Sequence, residues 1–278
     1  MPTSSDDPVE THRPASPSEA DGMESPPLPD SNIVSGSTAN QSEEVKPAQP
    51  KSGSLKSMTP PQTDRAIFAE VMAVMAVGVI PYLLSTFVSL AEPPLPPLPF
   101  WLGSIDATIM SCCTIFVTIY LISRSGEPWE RFGLPRVSLM DALAAVSVFI
   151  VEKIVWLSCY GSVRWDKEMF SKYQFAHPTS PTDHGLMVLR ELANGFSEEL
   201  VMRAYLLTRL EHLLGSRVGA VLMSALLFAS YHGYQGVAGV AYTLEFGIVY
   251  GLAYLFLRRV WPLALAHAML NIQIHLTA

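Results

Sequence analysis

The stretch LMDALAAVSVFIVEKIVWLSCY, Leu139 to Tyr160, decides the fold. Its only charged side chains are Asp141, Glu152 and Lys153. About 20 residues of apolar helix are enough to cross the hydrocarbon layer of a membrane. Open strands would leave backbone groups unpaired in lipid. The stretch therefore predicts a transmembrane helix.

Six further apolar runs of similar character flank this stretch on both sides. They extend over about Ala66 to Ala91, Phe100 to Ile122, Gly185 to Leu210, Val218 to Tyr231, Val237 to Leu257 and Trp261 to Leu276. We therefore predict an all-α, polytopic transmembrane helical bundle with about seven spans, within a range of six to eight.

The first 64 residues have a different composition. They hold 11 Pro, 12 Ser and no aromatic residue, and they carry −6 of the chain's formal charge of −7. Such a segment cannot bury enough apolar surface to fold. We predict three regions: a disordered tail over 1–64, the first two spans with their connectors over 65–133, and a functional core over 134–278.

The loops and their charges indicate a topology. No cleavable signal peptide is visible, so the first span is expected to be an uncleaved anchor. The connector AEPPLPPLP, Ala91 to Pro99, is expected to be polyproline-like, and Gly161 to Asp183 an interfacial excursion. Arginines cluster after the second and sixth predicted spans. By the positive-inside rule they indicate a cytoplasmic N-terminus, in a multi-pass protein that we expect in the plasma membrane.

Composition also excludes some classes of function. The chain is 49% hydrophobic and only 15% charged, which argues against a water-soluble enzyme. It has no basic surplus with which to neutralise phosphates, so we expect no nucleic-acid partner.

The most tightly grouped charges of the apolar part lie in the fourth run, in ELANGFSEELVMRAYLLTRLE. Ionisable groups inside a span are costly and mark functional sites. Glu199 and Arg203 are four residues apart in the order that favours an ion pair on one helix face. Glu198 is rotated by about 100° and has no such local partner. One carboxylate is thus held by a guanidinium and the other is available as a general base.

Two later helices carry histidines at helical spacing. Phe228 and His232 are four apart in FASYH, as are His267 and Asn271 in HAMLN. With Glu198 they would supply a base, two imidazoles and an amide donor to one cavity. Two histidines and a glutamate also form a known catalytic zinc ligand set. Zn²⁺ held by Glu198, His232 and His267 is therefore an open alternative at this point.

Other polar groups in the apolar runs favour a structural interpretation. Asp106, Glu152, Lys153 and Glu245 are expected to pair with one another or to line a water-filled cavity. His275 continues the face of His267 and Asn271 by one turn. It is a spare ligand or an interface group, and we favour the interface group.

Three ordered motifs resemble those of the CAAX-protease and bacteriocin-processing family of intramembrane proteases, which includes the CAAX prenyl endopeptidase. EELVMR is similar to its Glu-Glu-x-x-x-Arg motif, FASYH to Phe-x-x-x-His, and HAMLN to His-x-x-x-Asn/Asp. RFGL, Arg131 to Leu134, resembles a short element before the family's core. The resemblance covers roughly Leu134 to Leu276. Ala204 stands where a glycine is common in the family.

The resemblance implies an intramembrane endopeptidase, either glutamate-dependent or a metalloprotease. Glu198 would be the base that activates water, and His232 would orient that water. His267 and Asn271 would donate to the oxyanion, while Glu199, held by Arg203, would be a structural or second catalytic carboxylate. The implied substrates are membrane-associated proteins or peptides, prenylated ones among them.

Two other classes of function stay open from sequence. One is a non-catalytic family member that acts by binding, as in immunity to peptide toxins. The less favoured one is an ion-coupled carrier, which the lack of evident inverted repeats disfavours. The predicted spans also place His232 and His267 toward opposite ends of their helices. For the site to form, the fifth span would begin near Glu211, or a late helix would be tilted or broken near Gly233, Gly236 and Gly239.

Overall fold

The structure, a computed structural model, describes residues 63–91, 98–161, 163 and 177–277. All regular elements within these ranges are helices. We number the α-helices α1 (Asp64–Gly78), α2 (Ile80–Ala91), α3 (Phe100–Ser125), α4 (Leu139–Tyr160), α5 (Pro181–Glu199), α6 (Thr208–Leu214), α7 (Arg217–Ser230), α8 (Gly236–Leu257) and α9 (Val260–Thr277). Short 3₁₀ turns lie at Trp129–Phe132 and Gly233–Gln235, and Leu200–Leu207 form a π-helical segment between α5 and α6.

The predicted number of spans is not confirmed. Within the described ranges, three helices are long and apolar enough to cross a membrane, at Phe100–Ser125, Leu139–Tyr160 and Gly233–Leu257. A fourth span is obtained if α1 and α2, bent by 42°, are counted as one. The predicted span that contains α5 does not qualify as a membrane span because charged residues interrupt it. The α7 helix is too short to cross a membrane. The chain is an integral membrane protein, and its described residues contain three or four candidate spans, so the predicted seven are not confirmed.

Several predictions fall on residues that the structure does not describe. These are almost all of the tail, most of the polyproline-like connector, and most of the loop that follows α4. The tail's predicted disorder and the loop's predicted interfacial position therefore stay predictions.

Two helix starts are fixed by capping boxes. Ser138 and Asp141 form a capping box at α4, and Ser180 and Asp183 form one at α5, where Pro181 follows the cap. Each box satisfies backbone N–H groups that the first turn leaves unpaired. Hydrogen bonds from Ser180 and Thr179 hold the pKa of Asp183 below its ordinary value. These caps set where α5 begins and hence the register of its functional residues.

The RFGL element docks onto the core. Phe132 is fully buried and its ring stacks on Tyr205 at 6.0 Å between centroids. Gly133 has a φ of +66°, and a Cβ there would lie 2.7 Å from the Tyr254 ring. Its carbonyl accepts a hydrogen bond from the Val260 N–H at 2.7 Å. The element thus anchors the start of α9, which carries two of the predicted site residues.

Ion pairs join several helices at one end of the bundle. Asp64 of α1 lies 3.3 Å from His212 of α6. Arg209, fully buried, lies 2.8 Å from Glu127, which follows α3. Arg258, at the end of α8, pairs with Glu211 at 3.2 Å. The N-terminus of α1, the C-termini of α3 and α8, and α6 therefore meet at one arginine-rich end.

Candidate active site

Three elements bring the motif residues together. Glu198 and Glu199 are the last two residues of α5, immediately before the π-helical segment that contains Arg203. His232 follows the end of α7, and His267 and Asn271 lie on α9. Single π-turns in proteins occur often at functional sites, where they redirect side chains. The first motif lies at such a change in helical geometry.

The end of α7 resolves the conflict over the position of His232. The helix has 14 residues, which at 1.5 Å per residue reach about 21 Å, short of the roughly 30 Å of a hydrocarbon core. Because α7 is so short, His232, which lies two residues after its end, lines the same cavity as Glu198. The alternative of a fifth span beginning near Glu211 is wrong, because Gly215 ends α6 and Ser216 caps α7. The predicted break near Gly233 and Gly236 is confirmed.

Glu199 and Arg203 form the predicted ion pair. Arg203 Nη1 donates to Glu199 Oε1 at 3.1 Å, and the two side chains are 1% and 0% exposed. The pair has a third member, since His267 Nδ1–H donates to the same Oε1 at 2.9 Å. Glu199 therefore positions both the guanidinium and an imidazole. Removing one partner of such a buried group would leave an uncompensated charge, so the group is stable only when all three members are present.

Aromatic rings enclose the Arg203 guanidinium. Its Cζ lies 4.8 Å from the centroid of Phe228, 5.5 Å from Phe246 and 5.7 Å from Tyr250. Cations are attracted to ring faces at such distances, most strongly when water is excluded. These contacts assign a role to the phenylalanine of the second motif, whose ring helps to hold the arginine of the first.

His267 lies between the two carboxylates. Its Nδ1 contacts Glu199, and its Nε2 lies 3.5 Å from Glu198 Oε2. The sequence predicted no local partner for Glu198, and the structure supplies this one from α9. The Glu198 side chain is 12% exposed, whereas that of Glu199 is fully buried. Of the two glutamates, Glu198 is thus the one that can contact a substrate.

The backbone fixes the orientation of the His232 ring. Its Nδ1–H donates to the carbonyl of Phe228 at 2.8 Å, and its ring packs against Phe228 and Tyr231 at 4.6 and 4.5 Å between centroids. With Nδ1 protonated, a neutral ring keeps its lone pair on Nε2. Phe228 thus has two roles. Its ring contacts the Arg203 guanidinium, and its carbonyl accepts the hydrogen bond from His232.

A cavity of about 690 Å³ joins these groups. Helices α2, α3, α5 and α9 and the turn after α7 contribute to its walls. Four of the predicted site residues line it, namely Glu198, His232, His267 and Asn271. Glu199 and Arg203 do not line it, which is consistent with a role in positioning the residues that do. Asp106 also lines the cavity, one of the two outcomes expected for that group.

The zinc alternative does not fit the geometry. Among the described residues, no three His, Cys, Asp or Glu side chains are arranged to hold a metal ion. His232 and His267 each use Nδ1 in a hydrogen bond, to the Phe228 carbonyl and to Glu199, so only their Nε2 atoms could act as ligands. The metalloprotease interpretation, with Glu198, His232 and His267 as ligands, is therefore not supported, and we derive no step through a metal.

Gly195 allows α5 and α9 to approach at the site. A Cβ at this position would lie 2.9 Å from the carbonyl oxygen of Ala264 and 3.0 Å from the amide nitrogen of Ala268. Both distances are shorter than ordinary van der Waals contacts. The absence of a side chain here thus places His267 within reach of the two glutamates.

Sequence reasoning missed two polar residues of the cavity wall. Arg190 and Asn194 line the cavity with Glu198, and their spacing of four residues is a signal that the sequence contained. The His275 Nε2 lies 3.3 Å from Glu191 Oε1 of the same chain, and its role as an interface group stays a prediction. Of the other isolated charges, Glu152 is paired as expected, with Tyr242 at 2.9 Å and Lys153 at 3.7 Å.

One segment of the chain matches a known protein family. Residues 181–273 match the family model described as type II CAAX prenyl endopeptidase, Rce1-like. The match contains all three motifs and confirms the predicted resemblance for this segment. It is narrower than the predicted region, since RFGL and α4 lie outside it. No protein in the curated comparison and no solved structure gives a match.

Proposed function

We propose, from the premise that residues 181–273 form a domain of the Rce1-like family of type II CAAX prenyl endopeptidases, that this membrane protein is an intramembrane endopeptidase. It hydrolyses peptide bonds of membrane-associated proteins or peptides, with prenylated ones as one substrate class. The observation that carries the proposal is the convergence of Glu198, His232, His267 and Asn271 on one cavity.

Glu198 is the general base in this mechanism. It is the more exposed of the two glutamates and it lines the cavity. It takes a proton from a water molecule, whose oxygen then bonds to the scissile carbonyl carbon. His232 accepts a hydrogen bond from the same water through Nε2, because Nδ1–H is committed to the Phe228 carbonyl. A positioned base of this kind contributes about 10²- to 10⁴-fold to the rate.

Asn271 stabilises the negative charge that develops on the carbonyl oxygen. It lies one helical turn after His267 on α9, and its amide N–H groups donate to the oxyanion, as pre-aimed donors do in acyl transfer. Glu199 holds His267 in place through Nδ1. The Nε2 atom of His267 shares the proton that Glu198 has taken from water. Collapse of the intermediate breaks the C–N bond, and the leaving amine receives that proton from Glu198.

The arginine-rich end of the bundle supports a cytoplasmic N-terminus. The start of α1 lies at this end, with Arg209, Arg217 and Arg258 close by in the ion-pair network. Positive charges of this kind favour the cytoplasmic side. The cavity reaches Ser89, at the far end of α2, so its mouth lies toward the opposite side in this orientation. Residence in the plasma membrane stays a prediction.

The proposal is tested with the full chain purified in detergent. A farnesylated peptide and a library of membrane-derived peptides are incubated with wild type, Glu198→Ala and His232→Ala, and the products are identified by mass spectrometry. We expect cleavage by wild type and strong loss in both variants. Equal turnover by all three proteins would show that the products come from another protease.

The binding alternative makes a different prediction in cells. A non-catalytic member that confers immunity would protect cells against a peptide toxin after Glu198→Ala as well as before it. If purified wild type cleaves no peptide and the variant still protects, the binding function replaces the protease.

A further inference from the structure

A small pocket adjoins the main cavity at Glu198. It has a volume of about 10 Å³, which is close to the roughly 10–15 Å³ that one buried water molecule requires. Tyr82, Glu198 and Tyr231 line both the pocket and the main cavity, and Ser197 lines the pocket alone. The pocket therefore has room for a single water molecule directly beside the glutamate that we propose as general base.

The polar groups of the pocket meet the needs of a bound water molecule. Tyr231 is 2% exposed and Ser197 is 4% exposed. Among the described residues, the hydroxyls of Tyr82, Ser197 and Tyr231 have no hydrogen-bond partner, and none of the three belongs to the buried unpaired oxygens. These hydroxyls are therefore accessible from the adjoining spaces. A buried water molecule typically makes about three hydrogen bonds to polar groups of this kind, and the pocket offers four such side chains when Glu198 is included.

Helix α2 is fixed against the turn that follows α7, which places Tyr82 beside the pocket. Thr86 Oγ1 donates a hydrogen bond to the Tyr231 carbonyl at 2.6 Å, and the rings of Tyr82 and Tyr231 are 5.5 Å apart between centroids. Glu198 is the charged group that acts most strongly on both tyrosine hydroxyls, although neither donates a hydrogen bond to it directly. Polar groups separated beyond hydrogen-bond distance are commonly bridged by water.

We propose that the pocket binds one water molecule, which bridges the hydroxyls of Tyr82 and Tyr231 to Glu198 and holds the Glu198 carboxylate in the orientation of a general base. The inference rests on the proposed endopeptidase function. The bridging water is separate from the water that attacks the scissile carbonyl, which lies in the main cavity between Glu198 and His232. Tyr82 is thus a positioning residue, and it lies on α2, outside the family match over 181–273.

The donors and acceptors of the pocket match this arrangement. An ionised carboxylate only accepts hydrogen bonds, whereas a tyrosine hydroxyl can donate one. The water therefore donates to Glu198 and accepts from a tyrosine, and no proton is transferred. Since Glu198 Oε2 already faces His267 Nε2 at 3.5 Å, the bridging water fixes the carboxylate from a second direction. Loss of the water should lower kcat and leave KM unchanged, because the orientation of the base matters in the transition state.

Gly78→Ala is the direct test, because it fills the pocket and keeps every polar group. Gly78 lines the pocket, and a Cβ there would lie 3.4 Å from side-chain atoms of Thr114 and Val201, an ordinary van der Waals contact. Both of these residues also line the pocket. The methyl group thus takes the place of the water without forcing a neighbour to move. We expect a loss of about tenfold in kcat, since misplacement by 1 Å costs about 100-fold, with unchanged KM and no loss of thermal stability in detergent.

Tyr82→Phe tests the same water from the side of its partner. It removes one hydroxyl and keeps the ring, and we expect it to lower kcat without changing KM. The double variant Gly78→Ala, Tyr82→Phe should lose no more activity than the weaker of the two single variants, because both changes act through one water molecule and their effects are not additive. The matched controls are Gly185→Ala, where a Cβ meets no atom within 4 Å, and Tyr120→Phe, at a tyrosine that is 51% exposed. Both should keep wild-type kinetics.

The outcomes separate this inference from the proposed function. Wild-type kcat in Gly78→Ala overturns the water site and leaves the protease intact, and so do losses that multiply in the double variant. A crystal structure of wild type that resolves ordered water tests the site without any activity: a water molecule hydrogen-bonded to Glu198 in this pocket supports the inference, and a dry pocket overturns it even if Gly78→Ala does not fold. Failure of wild type to cleave any library peptide overturns the protease itself.

Discussion

Gly195→Ala tests whether the close approach of α5 and α9 assembles the site. The new Cβ would lie 2.9 Å from Ala264 O, against at least 3.4 Å for an ordinary contact, so the helices must separate by about half an ångström. Overpacking of this kind costs about 1–3 kcal/mol, partly offset by about 1 kcal/mol of better helix propensity. The movement lengthens the 3.5 Å contact between Glu198 and His267. Since misplacement by 1 Å costs about 100-fold in rate, we expect a loss of about tenfold in kcat.

The matched control for this substitution is Gly185→Ala on the same helix. A Cβ at Gly185 meets no atom within 4 Å, so alanine there should stabilise α5 by about 1 kcal/mol or less without affecting the site. Thermal unfolding in detergent and peptide cleavage are measured for both variants. If Gly195→Ala is as stable and as active as Gly185→Ala, the close approach does not position His267, and this part of the reasoning is wrong.

Three further predictions concern the groups around the site. Arg203→Met leaves Glu199 buried without its cation and should destabilise the protein by about 3–5 kcal/mol, with partial recovery in the double variant Arg203→Met, Glu199→Gln; both are measured by thermal unfolding. Phe132→Ala removes a fully buried ring and should cost about 3–5 kcal/mol by the same measurement, whereas an unchanged melting temperature would refute the anchoring role of RFGL. Treatment with a strong chelator should leave peptide cleavage unchanged, because the proposed mechanism uses Glu198 as the base and no metal ion. Loss of activity that Zn²⁺ restores would contradict this.

The helices were largely predictable because apolar runs determine them. The α4 helix begins and ends at the predicted residues, and α9 differs from its prediction by one residue at each end. The count of spans was predicted less well, because the run from Val218 to Tyr231 is shorter than the roughly 20 residues that a crossing helix needs, and α7 has only 14 residues.

The site was predictable where spacing along one helix decides a contact. The ion pair of Glu199 with Arg203 belongs to this class. Contacts between helices were not predictable, because they depend on packing. The position of His267 between Glu198 and Glu199 depends on Gly195, whose importance is apparent only once α9 is in place. The contact between Arg190 and His275 has the same origin.

The most direct test of the central claim is the rate of peptide cleavage by Glu198→Gln. The substitution keeps the size of the side chain and removes its ability to accept a proton from water. Against wild type and the exposed control Glu130→Gln, we predict at least a 100-fold loss in kcat/KM for Glu198→Gln alone, as expected for removal of a general base. Cleavage by Glu198→Gln at the wild-type rate, at the same peptide bond, would contradict the proposed mechanism.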